Sequence, residues 1–138
     1  MSKRGSGSSA KLRNGMSRLT GLPETVAKAK EIREIANQAF DKSIDQLKRT
    51  EKFFGKQVTK DAIERQEAVR KVINHADAHE LVTTLSSVIK NPKEAKSYID
   101  EVMRSVPASQ NTKNLAKRME DAYWETGRMQ RERKKAKI

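Results

Sequence analysis

The feature that most constrains the fold is a run of 71 consecutive residues without glycine, between Gly55 and Gly127. Within this run, and in the thirty residues before it, apolar residues recur at intervals of three and four. This spacing places them on one face of an α-helix. No segment of five or more residues alternates apolar and polar side chains, as a half-buried strand would. The pattern therefore predicts an all-α chain.

Prolines and capping residues divide the chain into five predicted helices. They span residues 24–54, 60–75, 78–90, 93–105, and 109 or 111 to 126 or beyond. Short polar side chains accept hydrogen bonds from the free amides of a first helical turn. We therefore expect Thr59 or Asp61 to cap the second helix, Asp77 the third, and Ser109 or Asn111 the fifth. The expected architecture is an irregular five-helix bundle with partly disordered termini.

The predicted first helix is too long for a compact domain. An unbroken helix over residues 24–54 would measure about 45 Å. A compact globule of 138 residues has a diameter of roughly 37 Å. The apolar stripe of this helix runs from Val26 to Phe54. The helix must therefore break, project from the domain or meet a partner, and self-association through residues 24–54 is one alternative.

The positive charge is concentrated at the two ends of the chain. The sequence has 30 Lys and Arg against 18 Asp and Glu, a net charge of +12. Residues 1–20 contribute +5, residues 128–138 another +5, and residues 21–127 only +2. This distribution predicts a flexible basic N-terminal arm (1–20), a nearly neutral helical domain (21–127) and a basic C-terminal tail (128–138).

Basic segments at chain ends are typical of proteins that bind phosphate groups. Trp124 is the only tryptophan and adjoins Tyr123 at the point where the predicted tail begins. An exposed aromatic ring there can stack on an unpaired base, although the pattern favours a ring that covers apolar surface of the bundle. The predicted nucleic-acid-binding residues are Lys3, Arg4, Lys11, Arg13, Arg18, Lys117, Arg118, Trp124, Arg128, Arg131, Arg133, Lys134, Lys135 and Lys137.

Motifs that carry catalysis are missing from the sequence. There is no phosphate-binding P-loop, no dinucleotide fingerprint and no cysteine. His75 and His79 are four residues apart, a spacing that suits two metal ligands on one helix. However, the predicted helix boundary at residues 76–77 breaks that geometry. We therefore expect no catalytic residues, no metal, no cofactor and no small-molecule substrate.

The sequence also argues against a membrane protein. It contains no apolar stretch of about eighteen residues or more, and no apolar segment follows the basic start to form a secretory signal. The basic tail has too few apolar residues to anchor at a membrane surface, so no membrane partner is expected. These observations favour a cytoplasmic location or one within a virion.

Two functions fit these expectations. The first is a non-enzymatic protein that binds DNA or RNA through the phosphate backbone, with little sequence specificity, by means of its basic ends. The second is a helical interaction module, such as a virion component, adaptor or inhibitor of phage or mobile-element type. That module would bind an acidic protein surface or self-associate through residues 24–54.

Overall fold

The computed structural model describes residues 16–106 and 114–136. These residues form seven α-helices and one short 3₁₀ segment, and no strand occurs among them. The all-α prediction is therefore confirmed. The helices are α1 (Pro23–Arg49), α2 (Glu51–Phe54), α3 (Lys56–His75), α4 (Ala78–Leu85), α5 (Ser87–Lys90), α6 (Ala95–Arg104) and α7 (Leu115–Ala136), and the 3₁₀ segment is Pro92–Glu94.

The long first helix breaks, which is one of the three outcomes that its length allowed. The α1 helix ends at Arg49, and the Thr50 hydroxyl hydrogen-bonds the carbonyl oxygens of Gln46 at 3.1 Å and Leu47 at 3.2 Å. The chain then forms the single turn of α2 and reverses at Gly55, whose φ is 91°. This backbone conformation is open almost only to glycine. The predicted helix 24–54 is thus two helices.

The predicted caps of the second helix are wrong. Because Gly55 completes the reversal, α3 begins at Lys56, several residues before the predicted start. Thr59 and Asp61 lie buried inside this helix instead of preceding it. The Asp61 carboxylate accepts a 2.9 Å hydrogen bond from Gln57 within the helix.

The third helix begins where the sequence predicts. The Asp77 side chain accepts a 2.8 Å hydrogen bond from the Glu80 amide, and the Glu80 side chain reaches back to the Asp77 amide. This reciprocal capping box confirms Asp77 as the cap and separates the two histidines, since His75 ends α3. The predicted helix 78–90 divides at Ser86 into α4 and α5.

The fifth predicted helix also differs in its bounds. The α7 helix begins at Leu115, and the Asn114 side chain caps it by accepting a 2.9 Å hydrogen bond from the Lys117 amide. The proposed caps Ser109 and Asn111 lie outside the described residues. Past Gly127 the helix continues without a break to Ala136. The described part of the predicted tail is therefore helical.

The helices enclose one hydrophobic core. Side-chain pairs Asn37–Asn74 and Asp41–Arg70 show that α1 and α3 are antiparallel, and Arg65–Gln130 and Asp61–Lys134 show the same for α3 and α7. The predicted apolar stripes of all five segments contribute to the core. Its largest fully buried side chains are Ile32, Phe40, Ile73, Leu81, Leu85, Val88, Ile99, Leu115 and Met119. Phe54, the last residue of the predicted first stripe, is instead exposed.

Candidate nucleic-acid interface

The basic residues of α7 divide between two faces of the helix. Successive residues turn by about 100° around the axis, so residues 124, 128, 131 and 135 fall within about 60° of one another. Trp124, Arg128, Arg131 and Lys135 are all exposed, and together they form a row about 17 Å long. We call these four residues the α7 ridge. The opposite face of α7 packs against the rest of the bundle.

The charges on the ridge are unequal. Arg128 contacts the carboxylates of Glu125 and Glu132, and these hydrogen bonds raise the pKa of Arg128. Arg131 and Lys135 form no ion pair with any described residue. These two cations are therefore the best placed on α7 to neutralise phosphate groups of a ligand.

Two other described cations of the predicted tail, Arg133 and Lys134, face α3. Arg133 donates a 2.6 Å hydrogen bond to Glu64, and Lys134 lies 3.4 Å from the Asp61 carboxylate. Between them, the buried Gln130 amide nitrogen donates to the Asp61 carbonyl at 2.9 Å and to Glu64 at 2.8 Å. Arg65 in turn donates a 2.7 Å bond to the Gln130 side-chain oxygen. This network fixes the end of α7 to α3.

Two further predicted residues also have acidic partners. Lys117 lies 3.1 Å from Asp121 on its own helix. Arg118 donates two hydrogen bonds, of 2.7 Å and 2.8 Å, to the Glu80 carboxylate and so connects α7 to α4. Mutual attraction lowers the pKa of Glu80 and raises that of Arg118. Phosphate binding by either cation would have to compete with these carboxylates.

The described part of the N-terminal segment lies far from the end of α7. Arg18 is exposed, and its neighbour Ser17 donates a 2.9 Å backbone hydrogen bond to Asn74, near the C-terminal end of α3. Lys134 contacts α3 at Asp61, thirteen residues earlier and so about 20 Å away along the helix. The two basic ends thus attach at separate places on α3. Lys3, Arg4, Lys11, Arg13 and Lys137 lie outside the described residues.

Trp124 also borders a groove between α3, α6 and α7. Its side chain is 60% exposed, and its ring meets the Tyr123 ring edge to face with 5.2 Å between centroids. The groove has a volume of about 550 Å³, and its walls include three cations (Arg65, Lys96 and Arg104) and two acids (Asp100 and Glu120), of which Asp100 pairs with Lys96 at 2.8 Å. The guanidinium of Arg65 lies 5.6 Å from the centre of the Tyr123 ring. A flat base beside Trp124 would therefore have cations near it.

Sequence reasoning missed these three cations. Arg65, Lys96 and Arg104 come from α3 and α6, and a charge count along the chain cannot show that they line one groove with Trp124. The histidine pair offers no metal site, because His75 and His79 belong to different helices. Among the described residues no group of three or more potential ligands could hold a metal ion.

None of the helices in the described residues could span a membrane.

The chain matches no protein-family model, and no curated protein or solved structure shows significant similarity to it. Its function is therefore inferred from its own residues and geometry.

Proposed function

We propose that this protein is a non-enzymatic nucleic-acid-binding protein that holds the phosphate backbone with little sequence specificity. The single observation that carries the proposal is the α7 ridge, which presents one exposed aromatic ring and three exposed cations in a row. Lysine and arginine neutralise phosphates and release counterions, while an aromatic ring stacks on any unpaired base. The basic N-terminal arm would add further phosphate contacts.

The composition of the ridge supports low specificity. Base edges are read chiefly by Arg, Asn and Gln in geometries that are fixed in a groove. The only amide side chain in α7 is Gln130, which is buried and bonded to α3. Arg128 is already engaged by two glutamates. Arg131 and Lys135 would therefore act as phosphate contacts, which position a strand without reading its sequence.

The structure gives less support to self-association through residues 24–54. Four members of the apolar stripe of α1, Ala29, Ile32, Ala36 and Phe40, are buried in the chain's own core, whereas Val26, Ile44 and Leu47 are half-buried. A second copy could not use the four buried residues without unfolding the bundle. The exposed apolar residues of this region lie beyond α1, around Gly55. The nucleic-acid function is for this reason the one we propose.

A salt titration with a labelled oligonucleotide tests the proposal. Fluorescence anisotropy of a single-stranded oligonucleotide would be measured with the full chain between about 50 and 200 mM salt. We expect log K to fall linearly with log salt, and the fluorescence of Trp124, the only tryptophan, to change on binding. Binding that is absent at low salt, or insensitive to salt, would refute the proposal.

Two double variants, each of which removes two positive charges, test which surface contacts the phosphates. Arg131→Ala with Lys135→Ala should reduce the salt slope by about 1.4, since each phosphate contact to a single strand contributes about 0.7. The control is Lys28→Ala with Lys30→Ala on α1, where both lysines are exposed and form no ion pair with a described residue. This control lowers the net charge equally, and its slope should stay close to that of the wild type.

A further inference from the structure

The turn between α1 and α3 exposes three apolar side chains. Phe53 is 73% exposed, Phe54 62% and Val58 56%, although none of them lies in a loop. The reversal at Gly55 causes this exposure, because α2 is a single turn that packs few side chains against the core. We call residues 48–60 the hairpin tip. Contiguous exposed apolar surface with a polar border marks a binding site.

The border of the hairpin tip is strongly basic. Residues 48–60 contain five basic residues and one acidic residue. Arg49 pairs with Asp45 at 2.9 Å, but the four lysines (Lys48, Lys52, Lys56 and Lys60) form no ion pair with a described residue. Four of these cations (Lys48, Arg49, Lys52 and Lys56) and the single acid, Glu51, line one open depression with a volume of about 530 Å³. The tip therefore offers a concentrated positive charge beside apolar rings.

One aromatic ring of the tip lies close to one of its cations. The ammonium of Lys52 is 5.2 Å from the centre of the Phe53 ring, and Phe54 follows directly. A ligand with flat apolar groups linked by phosphates would match both features at once. Single-stranded nucleic acid has this chemistry, since its bases stack on aromatic rings while lysines follow its backbone. Bases in a duplex already stack on one another, so their faces are not available.

Two other occupants fit the tip less well. In a dimer of this chain, the tip would contact either a second tip of the same positive charge or another surface of a protein whose net charge is +12. Like charges repel in both cases. A different protein is the second alternative. It fits less well because, although the rims of protein–protein interfaces are polar, lysine is depleted at such interfaces relative to the rest of the surface. We infer that the hairpin tip is a second nucleic-acid contact that binds unpaired bases on Phe53 and Phe54 and phosphates on its lysines. This inference rests on the proposed function and names single strands as the preferred ligand.

The tip lies next to the end of α7. Lys134 on α7 and Gln57 on α3 both contact the Asp61 carboxylate, at 3.4 Å and 2.9 Å. Gln57 is within the hairpin tip, so the end of α7 adjoins it. Lys135, the last residue of the α7 ridge, follows Lys134 directly, so the ridge ends at the same end of α3 as the tip. The two surfaces would then bind one strand together, which raises affinity without a new partner.

The test compares single strands with duplexes. Anisotropy of labelled oligo(dT) of about twenty nucleotides, longer than a single stacking site, and of a duplex of equal length would be measured for the full chain. Phe53→Ala with Phe54→Ala should weaken single-strand binding at least about 30-fold, because each base–ring stack is worth at least about fivefold in affinity. Duplex affinity should change by less than about twofold. Leu22→Ala, at a residue 74% exposed on the far end of α1, is the matched control.

Two conservative variants separate stacking from general apolar contact. Phe53→Tyr with Phe54→Tyr keeps the rings and should retain wild-type binding. Phe53→Leu with Phe54→Leu keeps apolar surface without a ring and should lose nearly as much single-strand affinity as the alanine pair. Wild-type binding by the leucine pair would overturn the inference. Two other activities of the wild-type protein would also count against the inference: binding to vesicles of equal parts phosphatidylcholine and phosphatidylserine, and concentration-dependent self-association. Either activity would overturn the inference if the leucine pair retained it and the alanine pair lost it.

The outcomes distinguish this inference from the proposed function. If the Phe53 and Phe54 variants bind normally while the Arg131 and Lys135 variant is weakened, the tip inference fails and the function stands. If the wild-type protein binds no oligonucleotide at low salt, both fail.

Discussion

The Arg33 guanidinium, at the centre of α1, donates a 2.7 Å hydrogen bond to the carbonyl oxygen of Ala76, where α3 ends. The same group donates to the Ser17 carbonyl oxygen at 2.6 Å and to its hydroxyl at 2.9 Å. The Arg33 side chain is buried, and burial lowers its pKa. No described carboxylate pairs with it. One buried arginine therefore joins the N-terminal segment, α1 and the corner before α4 through uncharged acceptors.

Replacing this arginine should destabilise the fold. Arg33→Met would leave the Ala76 and Ser17 carbonyl groups without their donor, and we expect a loss of about 2–3 kcal/mol in the free energy of unfolding. Urea denaturation measures this change. Arg49→Met is the control, because Arg49 forms an exposed pair with Asp45 and should cost less than about 1 kcal/mol. Equal costs for the two variants would contradict the role given to Arg33.

The two glycines that flank the long glycine-free run should respond oppositely to alanine. Gly55 has a φ of 91° and open space where a Cβ would lie, so Gly55→Ala should cost about 1–3 kcal/mol from backbone strain alone. Gly127 lies inside α7, and a Cβ there would meet Arg131 and Arg65 atoms at the ordinary distances of 3.6 Å and 3.9 Å. Gly127→Ala should therefore stabilise by about 0.5–1 kcal/mol. Thermal unfolding of both variants shows whether each substitution destabilises or stabilises the fold.

Much of the fold could be predicted because it depends on local patterns. Apolar spacing identified the helical stripes, and the Asp77 capping box is encoded within four residues. The sequence left the end of the fifth helix open at residue 126 or beyond, because Gly127 and the basic run together resemble a helix end. The contrary signal was present, since Gln130 follows Met119 and Tyr123 on the same face of the helix. A buried glutamine is difficult to recognise until Glu64 and Arg65 are seen beside it.

The candidate site was less predictable than the fold. Whether a cation is available to bind a ligand depends on its neighbours in space. Arg133, for example, pairs with Glu64, which is 69 residues away in the sequence. Nothing near residue 133 in the sequence indicates this pairing. The hairpin tip was missed for another reason, because Phe54 fits the helical stripe of residues 24–54. Only the break at Thr50 and the reversal at Gly55 turn it toward solvent.

Stability should depend on pH through Glu80. Hydrogen bonds from Arg118 chiefly, and from the Asp77 amide, lower the pKa of Glu80 in the folded state. A carboxylate with a lowered folded-state pKa contributes stability at neutral pH, and this contribution is lost as the pH falls through that pKa. Glu80→Gln should therefore cost about 1 kcal/mol at pH near 7, as expected for a partly solvated pair, and almost nothing at pH near 2.

Urea denaturation of wild type and Glu80→Gln across this pH range measures the effect. The pKa of Glu64 is lowered too, by hydrogen bonds from Arg133 and Gln130. The variant should therefore retain part of the acid sensitivity of the wild type. A stability difference between the two proteins that stayed constant from neutral to acidic pH would contradict the role of the Glu80 charge.

The most direct measurement compares two charge pairs within the last turns of α7. Arg131→Ala with Lys135→Ala removes two cations of the ridge, whereas Arg133→Ala with Lys134→Ala removes two that contact α3. Both variants lower the net charge by two. If the ridge is the phosphate-binding face, the first should lower the salt slope for an oligonucleotide by about 1.4 and the second should leave it nearly unchanged. Equal reductions in the two variants, or a larger one in the second, would contradict the proposed interface.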